Sequence, residues 1–143
     1  MWISPATWPN PSLSSNAVII GVGVDVVDVE RFKWMMRKST SMIDRTFSSG
    51  EARDTKGTSR SAESLAARFA AKEAVVKALG DRGTLRPNDV EVLTHESGRP
   101  SILLSGELLA ISDELGITNW HVSLAHDGDQ AIAYVIAESR SLT

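Results

Sequence analysis

Between Arg68 and Gly80 the chain reads as a helix that carries cations where an ordinary amphipathic helix has none. At about 100° per residue, Leu65, Phe69, Val75, Val76 and Leu79 share one arc. Arg68 and Lys72 fall inside that arc, while Glu73 and Lys77 sit at its edge among the small residues Ala66 and Ala70. A cation in an apolar arc needs a partner, and small neighbours leave room for one. An anionic ligand with a metal would supply it. Glu73 and Lys77 also have the i,i+4 spacing of a plain helix salt bridge, which is the simpler reading of that pair.

The chain has 143 residues and suits one domain with a single core. No apolar run approaches the ~20 residues of a membrane span. Cysteine is absent, which removes disulfides, thiolate ligands and a thiol nucleophile and fits a reducing cytosol. Met1 to Ser15 has neither a basic start nor an apolar stretch, so no secretory signal is expected and a cytoplasmic location is. The net charge of −3 argues against a general nucleic-acid binder. Its distribution is uneven: Arg31 to Arg60 holds eight Lys/Arg against three acids, a local +5 that leaves −8 elsewhere. Such a patch fits either an acidic partner or a solvated face neutralised from other parts of the fold.

Residues 1–16 hold three of the five prolines with Trp2 and Trp8, and read as an irregular arm ahead of a single domain over 17–143. Val18 to Val27 is rich in β-branched residues and predicts a strand. Val29 to Lys38 predicts a helix, acidic at its start and basic at its end. Phe47 to Glu51 can open a helical turn. Ala62 to Leu79 is the main helix, closed by Gly80. Val90 to Thr94 and Ser101 to Leu104 are short strands around a Gly-Arg-Pro turn. Gly106 to Leu115 is a helix, and Trp120 to Ala125 and Ala131 to Ala137 are strands around Asp127-Gly128. The sum is an α+β domain, a largely antiparallel sheet with helices packed on it.

Gly21-Val22-Gly23-Val24-Asp25 is not a dinucleotide loop, because the third glycine position is Val26. Two glycines in a strand instead predict a close approach by another element. Asp25, between Val24 and Val26, is either a metal ligand or a satisfied structural acid. Together with Glu73 it could hold a hard cation such as Mg²⁺, with Arg68, Lys72 and Lys77 offsetting phosphate charge. His126, before Asp127-Gly128, is either a ligand contact or a plain strand-end histidine. With His95 and His121 it forms no zinc pattern.

Three blocks give these residues a family context. They are Gly21 to Val27 with Glu30-Arg31-Phe32, Leu65 to Gly80, and Val122-Ser123-Leu124-Ala125-His126 followed by Ala131 to Ile136; Phe47, Glu51 and Gly98-x-Pro100 are weaker echoes. In order and spacing the chain resembles the small holo-acyl-carrier-protein synthases, the short class of 4′-phosphopantetheinyl transferases. The resemblance implies that fold, and transfer of the phosphopantetheine arm of coenzyme A (CoA) to a serine of a carrier protein, with release of adenosine 3′,5′-bisphosphate. It implies Asp25 and Glu73 as Mg²⁺ ligands and Lys77 at the phosphates, with Glu73 and Lys77 as catalytic groups. Arg68, Lys72, Lys77 and His126 would line the CoA site, and Arg31, Met35 and Arg60 would receive the carrier. The partner implied is an acyl carrier protein or the carrier domain of a fatty acid synthase, and the assembly a homotrimer with sites between subunits. The chain departs from the family pattern in three ways. Ala67 replaces a common Gly, Ala125 replaces the usual Ser or Thr before His126, and the arm over 1–16 is additional.

Overall fold

The computed structural model describes residues 16–141. The expected arm lies outside them except for Asn16, which opens the first strand; Trp2 and Trp8 are not among the described residues. In chain order come β1 (Asn16–Asp28), α1 (Val29–Lys38), α2 (Met42–Thr46), α3 (Ser49–Ala52) and α4 (Ala62–Ala78). Strands β2 (Val90–Thr94) and β3 (Pro100–Leu104), helix α5 (Gly106–Glu114), and strands β4 (Asn119–Asp127) and β5 (Gln130–Ser141) complete it. Strands β1, β5 and β4 form one antiparallel sheet in that order, and β2 and β3 form a separate antiparallel hairpin. The α+β expectation holds. Toward their turn, β4 runs two residues further and β5 one residue further than the sequence suggested. Asp127 still pairs with Gln130, which leaves Gly128 and Asp129 as the turn. Gly128, at φ +55, supplies the left-handed first position that a two-residue hairpin loop uses.

Local chemistry sets the helix limits. Asp28 caps α1 by accepting from the Arg31 amide at 2.8 Å, and Ser61 caps α4 by accepting from Ser64. Gly80, at φ +67, ends α4 in the conformation that glycine adopts without strain.

The two strand glycines explain how α4 sits on the sheet. A Cβ on Gly21 would lie 2.0 Å from the Ala78 carbonyl oxygen, and one on Gly23 would lie 1.9 Å from that of Ala74. The helix backbone therefore rests directly on β1. Ala70, Ala74 and Ala78 on α4, and Ala131, Ala133 and Ala137 on β5, are buried around this contact. Small side chains on both surfaces permit this approach, which fixes what projects from α4 relative to what projects from β1.

Two apolar clusters flank the contact. One joins the C-terminal half of α4 to β2, α5 and β5 through Val75, Val92, Leu108 and Val135; the other joins its start to α1 and Phe47 through Phe32, Leu65 and Ala66. On the opposite face of the sheet, Ile19, Val22, Val24, Val26 and Tyr134 are exposed. Among the described residues no helix is long and apolar enough to cross a membrane.

Candidate active site

Asp25 lies on β1 opposite Ala133, on the same face as Gly23, so its carboxylate points to the side that α4 covers. One helical turn separates Glu73 and Lys77, and both reach that side. Lys77 Nζ donates to Asp25 Oδ1 at 2.9 Å and to the Val24 carbonyl at 3.0 Å. The i,i+4 pairing of Lys77 with Glu73 does not form; the lysine turns to the strand instead. Asp25 is largely enclosed, its side chain 16% exposed, while Lys77 is 54% exposed.

Glu73 faces the same space without a cation of its own. Burial, and then the nearby Asp25 charge, push its carboxyl above the usual carboxylate range, and Lys77 only partly opposes this. Both acids line a cavity of about 600 Å³ together with Arg31, Met35, Phe69 and Gln130. Two acids converging on an open cavity form a donor set that suits a hard dication. Mg²⁺ needs only one or two carboxylates and fills its remaining positions with waters and phosphate oxygens. Among the described residues no group of three or more His, Cys, Asp or Glu side chains is placed to hold a metal ion.

The cavity joins the expected metal ligands to two of the expected carrier-face residues, Arg31 and Met35. Arg60, the third, lies elsewhere. Its guanidinium and that of Arg68 both donate to Thr94 Oγ1, at 3.2 and 3.0 Å. Arg68 also donates to Ser64, and its buried Nε has no partner. Burial lowers its pKa to about 10, and the adjacent Arg60 charge adds to the effect. Two guanidiniums sharing one hydroxyl are short of anionic partners.

Lys72 departs from its expected place at CoA. It is fully buried, and its Nζ donates to Glu51 Oε1 at 2.8 Å, to the Pro87 carbonyl at 2.9 Å and to the Val90 carbonyl. All three ammonium donors are used, leaving none for a phosphate. Glu51 is equally occupied. It closes a capping box on α3 with Ser48, and its Oε2 accepts from the Val92 amide at 3.1 Å. The pair ties α3, α4 and β2 together. In the sequence Glu51 stood out only weakly, because nothing local marks a residue whose partner lies 21 positions away. His126 is exposed near the end of β4, opposite Ala131, and does not line the cavity. Gln130 does, carried there by the β4–β5 turn, and no sequence signal pointed to it.

Residues 21–135 match the model of the 4′-phosphopantetheinyl transferase superfamily. A holo-[acyl-carrier-protein] synthase of Streptomyces griseus is 49% identical over 121 residues, spanning 85% of this chain and 99% of its own. The solved acyl carrier protein synthase of Plasmodium yoelii with ADP bound aligns at a TM-score of 0.77 and 26% identity, over 87% of this chain and 98% of that one. The holo-[acyl-carrier-protein] synthase of Helicobacter pylori in complex with coenzyme A aligns at a TM-score of 0.67 and 29% identity, covering 81% and 98%.

Proposed function

The chain belongs to the 4′-phosphopantetheinyl transferase superfamily, and we propose that it moves the phosphopantetheine arm of CoA onto a serine of an apo acyl carrier protein. The observation that carries this reading is the convergence of Asp25, which Lys77 holds, and Glu73 on one cavity that also reaches Arg31 and Met35 on α1. A phosphate site and a protein-docking helix then share one opening.

In the reaction the serine oxygen attacks the β-phosphate of the CoA diphosphate. A new P–O bond forms to serine, the bond to the bridging oxygen breaks, and adenosine 3′,5′-bisphosphate leaves. Asp25 and Glu73 would hold Mg²⁺, which when bound offsets charge on the diphosphate. Lys77, on the exposed side of Asp25, is placed to neutralise the leaving phosphate. Glu73, or a water beside it, would accept the serine proton. Arg68, expected at CoA, is buried beside Arg60 and lacks an anionic partner. Lys72 has no part in binding and supports the helix from within.

Exposed Ile19, Val22, Val24, Val26 and Tyr134 give the sheet an apolar outer face, which supports self-association into the expected homotrimer. Ala125 lies on that face, since alternation puts it on the side opposite Leu124. Light scattering tests the assembly, a trimeric mass being the expected result.

The reaction itself is tested by chromatography of CoA incubated with the protein and Mg²⁺. Adenosine 3′,5′-bisphosphate should accumulate only when an apo carrier is present. Release without a carrier would indicate a hydrolase, and CoA binding without release a non-catalytic subunit.

A further inference from the structure

Helix α1 exposes a tryptophan that neither the cavity nor the core explains. Trp34 is 54% exposed, and Lys38 Nζ lies 5.5 Å from its ring centroid. The buried side of α1 is set by Val29 and Phe32. At about 100° per residue, Trp34 falls near the centre of the opposite side. Lys38 and Arg31 come next on the wheel, and Met35 follows at the rim of the Asp25–Glu73 cavity. Met35, Arg31, Lys38 and Trp34 thus form one stripe leading from the cavity onto the outer surface of α1.

The charges along this stripe lack counter-ions. Lys33, on the other flank, is paired with Glu30 at 3.1 Å and Glu63 at 3.3 Å. Arg31, Arg37 and Lys38 form no ion pair among the described residues. A large aromatic ring beside free cations has the composition of the anchor of a protein–protein contact, where Trp and Arg are enriched. The charge of the stripe sets the chemistry of its occupant: an acidic helix or loop that also offers an apolar side chain.

We infer that Trp34 is a specificity-determining residue for the carrier protein, packing on an apolar side chain of the carrier while Lys38, held against its ring, pairs with a carboxylate beside it. This rests on the transferase reading and extends the docking face beyond Arg31 and Met35. Because the ring lies outside the cavity, it bears on how the carrier is held and not on the chemical step. An ammonium already held over the ring loses little freedom on binding.

The test is steady-state kinetics with an apo carrier that the wild type modifies, varying carrier and CoA separately. Trp34→Ala should raise KM for the carrier about tenfold, as an anchor of this type does. The value of kcat at saturating carrier and KM for CoA should stay within about twofold. Trp34→Phe should recover most of the loss. Lys38→Gln should raise carrier KM at low salt, with the difference shrinking toward 0.5 M salt, where exposed charges are screened within about 4–5 Å. A carrier KM unchanged in Trp34→Ala, while the wild type transfers normally, overturns this inference and leaves the transferase reading standing. A fall in kcat with unchanged carrier KM also overturns it. Failure of the wild type to modify any carrier overturns the transferase reading, and this inference with it.

Discussion

Lys77 Nζ holds Asp25 Oδ1 at 2.9 Å, joining the main helix to the first strand at an acid that lines the cavity. The contact crosses 52 residues of sequence, yet it follows from packing. Gly23 lets α4 settle onto β1, and the two side chains meet just beyond that contact. Half of the pair is open to solvent, so its value to stability is small, below about 1 kcal/mol. Lys77→Met should therefore keep the unfolding free energy within that margin. Its kcat should fall by about a hundredfold or more, as expected for loss of a cation aimed at developing charge. Urea unfolding and single-turnover transfer measured on one preparation check both halves.

Glu73 sets function against stability. Its folded-state pKa lies above the ordinary carboxylate value, because of burial and then of Asp25. The folded protein thus binds this proton more tightly than the unfolded chain. Stability from this group is present at low pH and is lost as pH rises from about 4.3 through the folded value. Once Glu73 is ionised with no cation bound, its charge opposes folding. Glu73→Gln should raise Tm at pH 7 in the presence of a chelator, with the gap closing below about pH 4. The same variant should lose transfer. Mg²⁺ should raise the Tm of the wild type and leave that of the variant where it was. Scanning calorimetry with and without Mg²⁺ reads all of this.

Gly23→Ala tests the contact that builds the site. Its new methyl would lie 1.9 Å from the Ala74 carbonyl oxygen, a backbone atom that cannot swing aside. The helix must lift, at a cost of about 2–3 kcal/mol. Transfer should fall further than the folded fraction does, because Glu73 and Lys77 move with the helix while Asp25 stays on the strand. Chemical denaturation beside activity per folded molecule separates the two effects.

The buried Glu51–Lys72 pair predicts strong coupling. Lys72→Met alone leaves a buried carboxylate without its cation and should destabilise by about 3–5 kcal/mol. Glu51→Gln with Lys72→Met should cost less than the two single changes added together, because no unpaired charge remains. A double-mutant cycle by urea unfolding measures the difference.

The fold was largely legible in the sequence because its local signals agree. Asp28, Ser61 and Gly80 mark helix ends, β-branched runs mark strands, and Gly21 and Gly23 mark where another element packs closely. Of the site, Asp25, Glu73, Arg31 and Met35 do meet in one cavity. The roles of the cations were harder to read. On a helical wheel Arg68 and Lys72 look alike, both turned inward. Only the fold reveals that Lys72 meets Glu51 and is satisfied, while Arg68 meets Thr94 and a second guanidinium and is not. The resemblance set Arg60 with Arg31 on the carrier face; in the fold its guanidinium bonds Thr94, beside Arg68. Linear charge cannot tell a cation that serves the core from one that faces a ligand.

The central claim is that Asp25 and Glu73 make this cavity a phosphopantetheine-transfer site. Intact-mass spectrometry of an apo carrier, incubated with CoA, Mg²⁺ and protein, tests it most directly. The wild type should add one phosphopantetheine to the carrier, and folded Asp25→Ala and Glu73→Ala variants should add none. Modification at wild-type speed by either variant, or an unchanged mass for every carrier with the wild type, would contradict it.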